Sequence, residues 1–121
     1  MNFRNVYDER GRVLPWVARE LSGKSGCYVI RQRGAGGIPG PVLYVGESHT
    51  GRLKKTLLRH FQKWKGPTKG ATYDGQAVEV FTVRTRPESA VEMQNSLIED
   101  LSPADNTVGQ PGILSWFIPG A

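Results

Sequence analysis

Arg52, Thr56, Arg59 and His60 lie within nine consecutive residues of a segment that reads as helical. At about 100° per residue from Arg52, Arg59 returns to about −20°, Thr56 lies at about 40° and His60 at about 80°, so the four share a face. Leu57, Phe61 and Trp64 point elsewhere. A basic stripe beside an apolar one lets a docked helix approach a phosphate. Upstream, Tyr28 and Tyr44 occur in Gly26-Cys27-Tyr28 and Tyr44-Val45-Gly46. A phenol titrates near 10, so a tyrosine acting as a base needs positive charge nearby. Each of these features also has an ordinary reading: the cations as a solvated helix face, His60 as a half-buried histidine with a backbone partner, and the tyrosines as core-strand residues.

Several elements must position these groups. Leu14, Val17, Ala18 and Leu21 recur at helical spacing, with Pro15 suited to a first turn. Cys27-Tyr28-Val29-Ile30 and Val42-Leu43-Tyr44-Val45 read as strands, the second ended by Gly46. Residues 34 to 41, rich in glycine and proline, suit a hairpin connection, which makes the strands antiparallel neighbours. Leu53, Leu57, Leu58, Phe61 and Trp64 predict a helix over residues 53 to 65, stopped by Gly66-Pro67. Ala77 to Val83 alternates imperfectly as a third strand, and Pro87-Glu88-Ser89 opens a helix whose stripe is Val91, Gln94, Leu97, Ile98 and Leu101. The tail from Ile113 to Ile118 reads as a short strand or extended cover.

Together these segments resemble the GIY-YIG endonucleases. Gly26-Cys27-Tyr28 stands for Gly-Ile-Tyr, Tyr44-Val45-Gly46 stands for Tyr-Ile-Gly, and Leu101-Ser102-Pro103-Ala104-Asp105-Asn106 matches the segment after the family's second helix. Either tripeptide alone carries little information; the combination and its order carry the resemblance, over residues 26 to 106. It implies an α+β fold (α/β in the broad sense) with a small three-stranded antiparallel sheet flanked by helices, and an Mg²⁺-dependent hydrolase acting on DNA phosphodiesters. Tyr28 and Tyr44 would position or deprotonate the attacking water and hold the scissile phosphate. Arg52 or Arg59, with His60, would stabilise charge, since the family's usual arginine position is Thr56 here. Arg52, Lys54, Lys55, Arg59, Lys63 and Asn106 are the expected DNA contacts, Asn106 holding the site's backbone or a phosphate. Glu47 is an expected supporting acid or a helix-end charge, and His49 a loop-surface residue.

One position departs from the family. Its metal-binding glutamate precedes Leu-Ile by two intervening residues, and Gln94 occupies that place. The amide keeps the shape and one ligand oxygen and loses the charge that a hard dication prefers. Glu92 and Glu99 lie about 200° and about 140° away around the helix and do not share its direction. The expectations are therefore a nuclease domain weakened at its metal site, as by a glutamate-to-glutamine change, or a nucleic-acid-binding or protein-interaction module on the same fold. The nuclease reading requires Tyr28, Tyr44 and the side chain at 94 to surround one pocket.

Composition bounds these readings. A chain of 121 residues is the size of one domain, here an N-terminal helical extension to about residue 23, a core over 24 to 106 and a tail over 107 to 121. With 38% hydrophobic and 22% charged residues it is not disordered, and its net charge of +5 suits a polyanionic partner. The single Cys27 excludes an internal disulfide. Without an apolar leader or a span-length apolar run, the expected location is cytoplasmic.

Overall fold

The computed structural model describes residues 1–62 and 72–106. Lys63, Trp64 and the tail fall outside those residues. The elements run α1 (Pro15–Leu21), β1 (Ser25–Gln32), β2 (Val42–Ser48), α2 (Leu53–Leu58), β3 (Val78–Thr85) and α3 (Ala90–Leu101). Single 3₁₀ turns occur at Arg59–Phe61, Pro87–Ser89 and Ala104–Asn106. The strands form one antiparallel sheet in the order β2-β1-β3. This is a small α+β fold with helices on both faces of a three-stranded sheet. Among the described residues, no helix is long and apolar enough to cross a membrane.

Strand alternation divides the core in two. Tyr28 and Ile30 of β1, with Val78 and Val80 of β3, pack on Val17 and Leu21 of α1 and on Leu53 and Leu57 of α2. The intervening residues Cys27 and Val29, with Val45 from β2, are fully buried on the other face. There the Cys27 Sγ donates to the Ala90 carbonyl at 3.2 Å, which places α3 on that side. Because β1 is covered on both faces, its first six residues are all buried.

The N-terminal segment is more than an extension. Val6, Trp16, Val17 and Leu21 belong to the main core cluster, and the Arg4 backbone exchanges two 2.8 Å hydrogen bonds with Val80 along the outer edge of β3. The Arg4 guanidinium lies 3.7 Å from the Trp16 ring centroid and is bidentate to Glu20, at 3.0 and 2.9 Å. A strand edge that would otherwise invite pairing with another chain is closed in this way.

Three elements differ from the sequence expectation. β2 does not end at Gly46 but continues to Ser48, with Gly46 paired to Tyr28 and Ser48 to Gly26. The reason is steric: a Cβ at Gly46 would meet Tyr28 Cζ and its hydroxyl oxygen at 2.3 Å, so this glycine is the space into which the Tyr28 ring fits. The helix expected over 53 to 65 ends early. It tightens into the 3₁₀ turn at Arg59–Phe61 and leaves it through Gln62 in an extended conformation, ψ 150°. On α3, the residue buried in the first turn is Ala90, while Val91 is exposed, so the apolar stripe begins one residue earlier than the periodicity implies. Replacing Gly46 by alanine is expected to destabilise the fold by about 1–3 kcal/mol, because the new methyl displaces the Tyr28 ring. Urea unfolding measures this, and an unchanged midpoint would contradict the packing described.

Candidate functional site: a phenol–imidazole cluster beside a basic surface

Two buried hydroxyls build the turn that leads into α2. Ser25 Oγ accepts the Gly51 N–H at 3.0 Å, and Ser48 Oγ accepts the Arg52 N–H at 3.0 Å. Leu53 N–H then bonds to the Lys24 carbonyl at 3.0 Å, fixing the start of α2 against the α1–β1 turn. On the helix wheel His60 lies within about 20° of the buried Leu53 and about 100° from Arg59, so the face expected for Arg52, Thr56, Arg59 and His60 divides between core and solvent. His60 turns inward to the sheet, while Arg52 and Arg59 remain exposed. Thr56 is half-buried.

The inward His60 meets both hairpin tyrosines. The Tyr28 hydroxyl lies 2.8 Å from His60 Nε2. The Tyr44 and His60 rings are 4.6 Å apart between centroids, and Tyr28 and Tyr44 stack at 6.3 Å with 30° between planes. Tyr28 is 1% exposed and Tyr44 half-buried, so any approaching molecule reaches Tyr44 first. The polar end of an otherwise buried Tyr28 thus has its partner, as burial requires.

A third tyrosine, which sequence reasoning missed, supports His60 from behind. Tyr73 N–H donates to the His60 carbonyl at 2.7 Å, and the two rings are 6.0 Å apart. The Tyr73 hydroxyl donates to Asp105 Oδ2 at 2.5 Å. The neighbouring Asn106 uses its side chain as a short strand: Val45 N–H donates to Oδ1 at 2.6 Å, and Nδ2 donates to the Val45 carbonyl at 2.9 Å. Of the two contacts expected for Asn106, the backbone one is therefore present. The Ala104–Asn106 turn braces the outer edge of β2 beside Tyr44 and ties it to His60 through Tyr73. No periodicity announces Tyr73; its only signal is an aromatic residue inside a polar connection.

The electrostatics correct one expectation. Tyr28 is pushed well above the ordinary tyrosine value, first by burial and then by Tyr44 and Glu47, with Arg59 acting in the opposite direction. Tyr44 is raised by burial and by Glu47, and Tyr73 by burial and by its bond to Asp105. Arg59 does supply positive charge near Tyr28, as the helix was expected to, but desolvation outweighs it. These side chains therefore act as neutral phenols that donate and accept hydrogen bonds. The Cys27 thiol, raised to about 12 by burial and Glu47, is likewise held protonated.

The other expected residues are more dispersed. Lys54 and Lys55 lie on α2 near Arg52 and Arg59, and Lys63 falls outside the described residues. Glu47 is largely buried and faces His49, whose Nδ1 is 3.1 Å from both carboxylate oxygens. Gln94 is half-buried on α3, one turn after Ala90, and makes none of the contacts that join Tyr28, Tyr44 and His60. Since α3 covers the Cys27 face, β2 and β1 stand between its axis and the phenols, and the expectation that Tyr28, Tyr44 and the side chain at 94 surround one pocket is not met by the contacts of the described residues. Among the described residues no three His, Cys, Asp or Glu side chains stand together as a metal cage. No protein-family model matches this chain, and no curated protein matches it.

All four tyrosines of the chain, Tyr7, Tyr28, Tyr44 and Tyr73, have raised values, so the folded state holds protons that the unfolded chain releases near pH 10. Their contribution to stability is full below about pH 10 and is lost as pH climbs towards the folded-state values. Phenolate absorbance should therefore appear together with alkaline unfolding, as one cooperative transition. Independent ionisation of the tyrosines in the folded protein near pH 10 would refute this description.

Proposed function

We propose that this chain is a GIY-YIG-type endonuclease domain acting on DNA phosphodiester bonds, with its chemistry weakened by Gln94. The observation that carries the reading is the meeting of Tyr28, Tyr44 and His60. Two tyrosines from paired strands and a histidine from the following helical segment converge, with a 2.8 Å bond between Tyr28 and His60, while Gln94, the third side chain that the reading required at this pocket, shares none of these contacts. The resemblance concerns sequence order alone, so this convergence in space supports it independently.

The geometry suggests how the work is divided. Tyr44, the accessible phenol, donates its hydroxyl proton to a phosphate oxygen or to the attacking water. Tyr28 orients His60 through the bond to Nε2. Because burial keeps the phenols protonated, accepting a proton from water falls to the imidazole and not to a tyrosine. Arg59, close enough to Tyr28 to act on its ionisation, is the cation best placed to offset charge on the phosphate. The phosphate would lie beside Tyr44 at the margin of β2, the strand between the phenols and α3.

The family's Mg²⁺ fits the residues present poorly. Position 94 offers a single neutral oxygen, and Glu92 and Glu99 are both exposed on other sides of α3. No step of the proposed chemistry is assigned to a cation here. A second reading, a nucleic-acid-binding or protein-interaction module without catalysis, is favoured by that neutral amide and by its separation from the phenols.

Gln94→Glu separates the two readings. Under the nuclease reading the variant gains Mg²⁺-dependent nicking of single-stranded, duplex or branched DNA. Adding Tyr28→Phe should then lower that rate by about 10²-fold or more, as loss of one oriented hydrogen bond at a reacting centre does. Salt-sensitive DNA binding with no nicking by Gln94→Glu would instead establish the binding module. Neither nicking nor binding at low salt would leave protein interaction as the function.

A further inference from the structure

On the side of α2 away from the sheet lies a groove of 630 Å³, walled by the α1–β1 turn at Gly23 and by Gly51, and lined by Arg52, Lys54, Lys55 and Arg59. From His49 to Gln62 the chain contains no acidic residue. Among the described residues none of the four cations is in an ion pair. By contrast, Arg4 is paired with Glu20, Arg12 with Asp8, Arg31 with Glu79 and Arg86 with Glu88. Four like charges held around one concavity repel one another, and an anion in the groove relieves that repulsion.

We propose that this groove is a phosphodiester-binding site, separate from the phenol–imidazole cluster, that holds the nucleic-acid strand to one side of the reacting phosphate. The proposal deepens the nuclease-type reading and rests on it for the nature of the anion. The groove and the cluster share no lining residue, yet they are adjacent in the fold: Arg59 lines the groove, precedes His60 and acts electrostatically on Tyr28. A strand leaving the cluster past Arg59 runs directly into the groove. The outer side of α3 has the opposite character, a shallow surface lined by Glu88, Glu92 and Glu99 that repels the same backbone. The charge distribution thus assigns the strand to the α2 side.

Gly23 allows a test that leaves every cation in place and puts the same backbone strain into both variants compared. Its φ is +71°, and a Cβ there would meet nothing within 4 Å. Asparagine and aspartate are the non-glycine residues that best tolerate this backbone region, and the two differ in charge and hardly in size. Binding of the full-length chain to labelled single-stranded and duplex DNA would be followed by anisotropy over a salt series. Gly23→Asp should bind about tenfold more weakly than Gly23→Asn at low salt, the difference shrinking as salt rises. Lys54→Gln with Lys55→Gln should flatten the slope of log K against log salt by about 0.7–0.9 for each phosphate that is no longer neutralised. A charge effect confined to one form of DNA identifies that form as the occupant, and an effect on both identifies a backbone contact common to them. Equal affinities for the aspartate and asparagine variants, or no binding of either DNA by the unaltered chain at low salt, would overturn the proposal. Gln94→Glu leaves the groove intact, so failure to nick counts against the nuclease reading and failure of the Gly23 comparison counts against the groove.

Discussion

The bond between the Tyr28 hydroxyl and His60 Nε2 is the constraint on which the arrangement of this domain turns. A tyrosine at the centre of a small sheet, 1% exposed, brings a polar group into a region where an unpaired hydroxyl is costly. The fold resolves this on two sides. Gly46 contributes no side chain on the neighbouring strand, so the ring lies flat across β2 and its hydroxyl reaches the far side of the core. There α2 passes into a 3₁₀ turn from which His60 meets it. Around the helix axis His60 lies within about 20° of the buried Leu53 and about 100° from Arg59, so it is placed towards the core.

The same turn separates two kinds of chemistry. The half-buried His60 faces an aromatic cluster with three tyrosines around it, whereas Arg59, one residue earlier, is exposed among other cations. Two adjacent residues thus serve different environments, and Arg59 is still near enough to oppose the rise in the Tyr28 value. The Ala104–Asn106 turn braces the aromatic side, gripping Val45 through Asn106 and Tyr73 through Asp105. These braces come from sequence positions about sixty and thirty residues away from what they hold, which is why they escape local pattern analysis.

The sequence made the architecture legible wherever one face of an element is apolar and the other polar. The hairpin and the two main helices follow from periodicity, and the pairing of Tyr28 beside Tyr44 follows from the hairpin. It misplaced what depends on contacts distant in sequence. Gly46 looks like a strand terminator when only its propensity is considered, and only the Tyr28 ring above it explains why the strand continues. The shared face of Arg52, Arg59 and His60 spanned about 100° of the helix wheel, and its His60 edge adjoins the buried Leu53, so the wheel alone did not say which side of that boundary the imidazole takes. Burial of Val6 could not be read from a stretch without clear periodicity, and Trp16 lies off the stripe of Leu14, Val17, Ala18 and Leu21.

The position of Gln94 then bears on what kind of site this is. If the cluster is catalytic as proposed, its phenols stay protonated, the His60 imidazole is its proton acceptor, and charge at the phosphate must come from groups outside the cluster. Arg59 supplies positive charge from one side of β2, and a negative charge to hold a cation would have to come from α3 on the other. Glutamine at 94 offers no such charge, and the hydrogen bonds described for Tyr28, His60 and Asn106 do not involve it. Among the described residues the aromatic cluster is thus held by contacts other than those of residue 94. Under the proposed nuclease reading, a change at 94 would therefore alter cleavage while leaving the cluster in place.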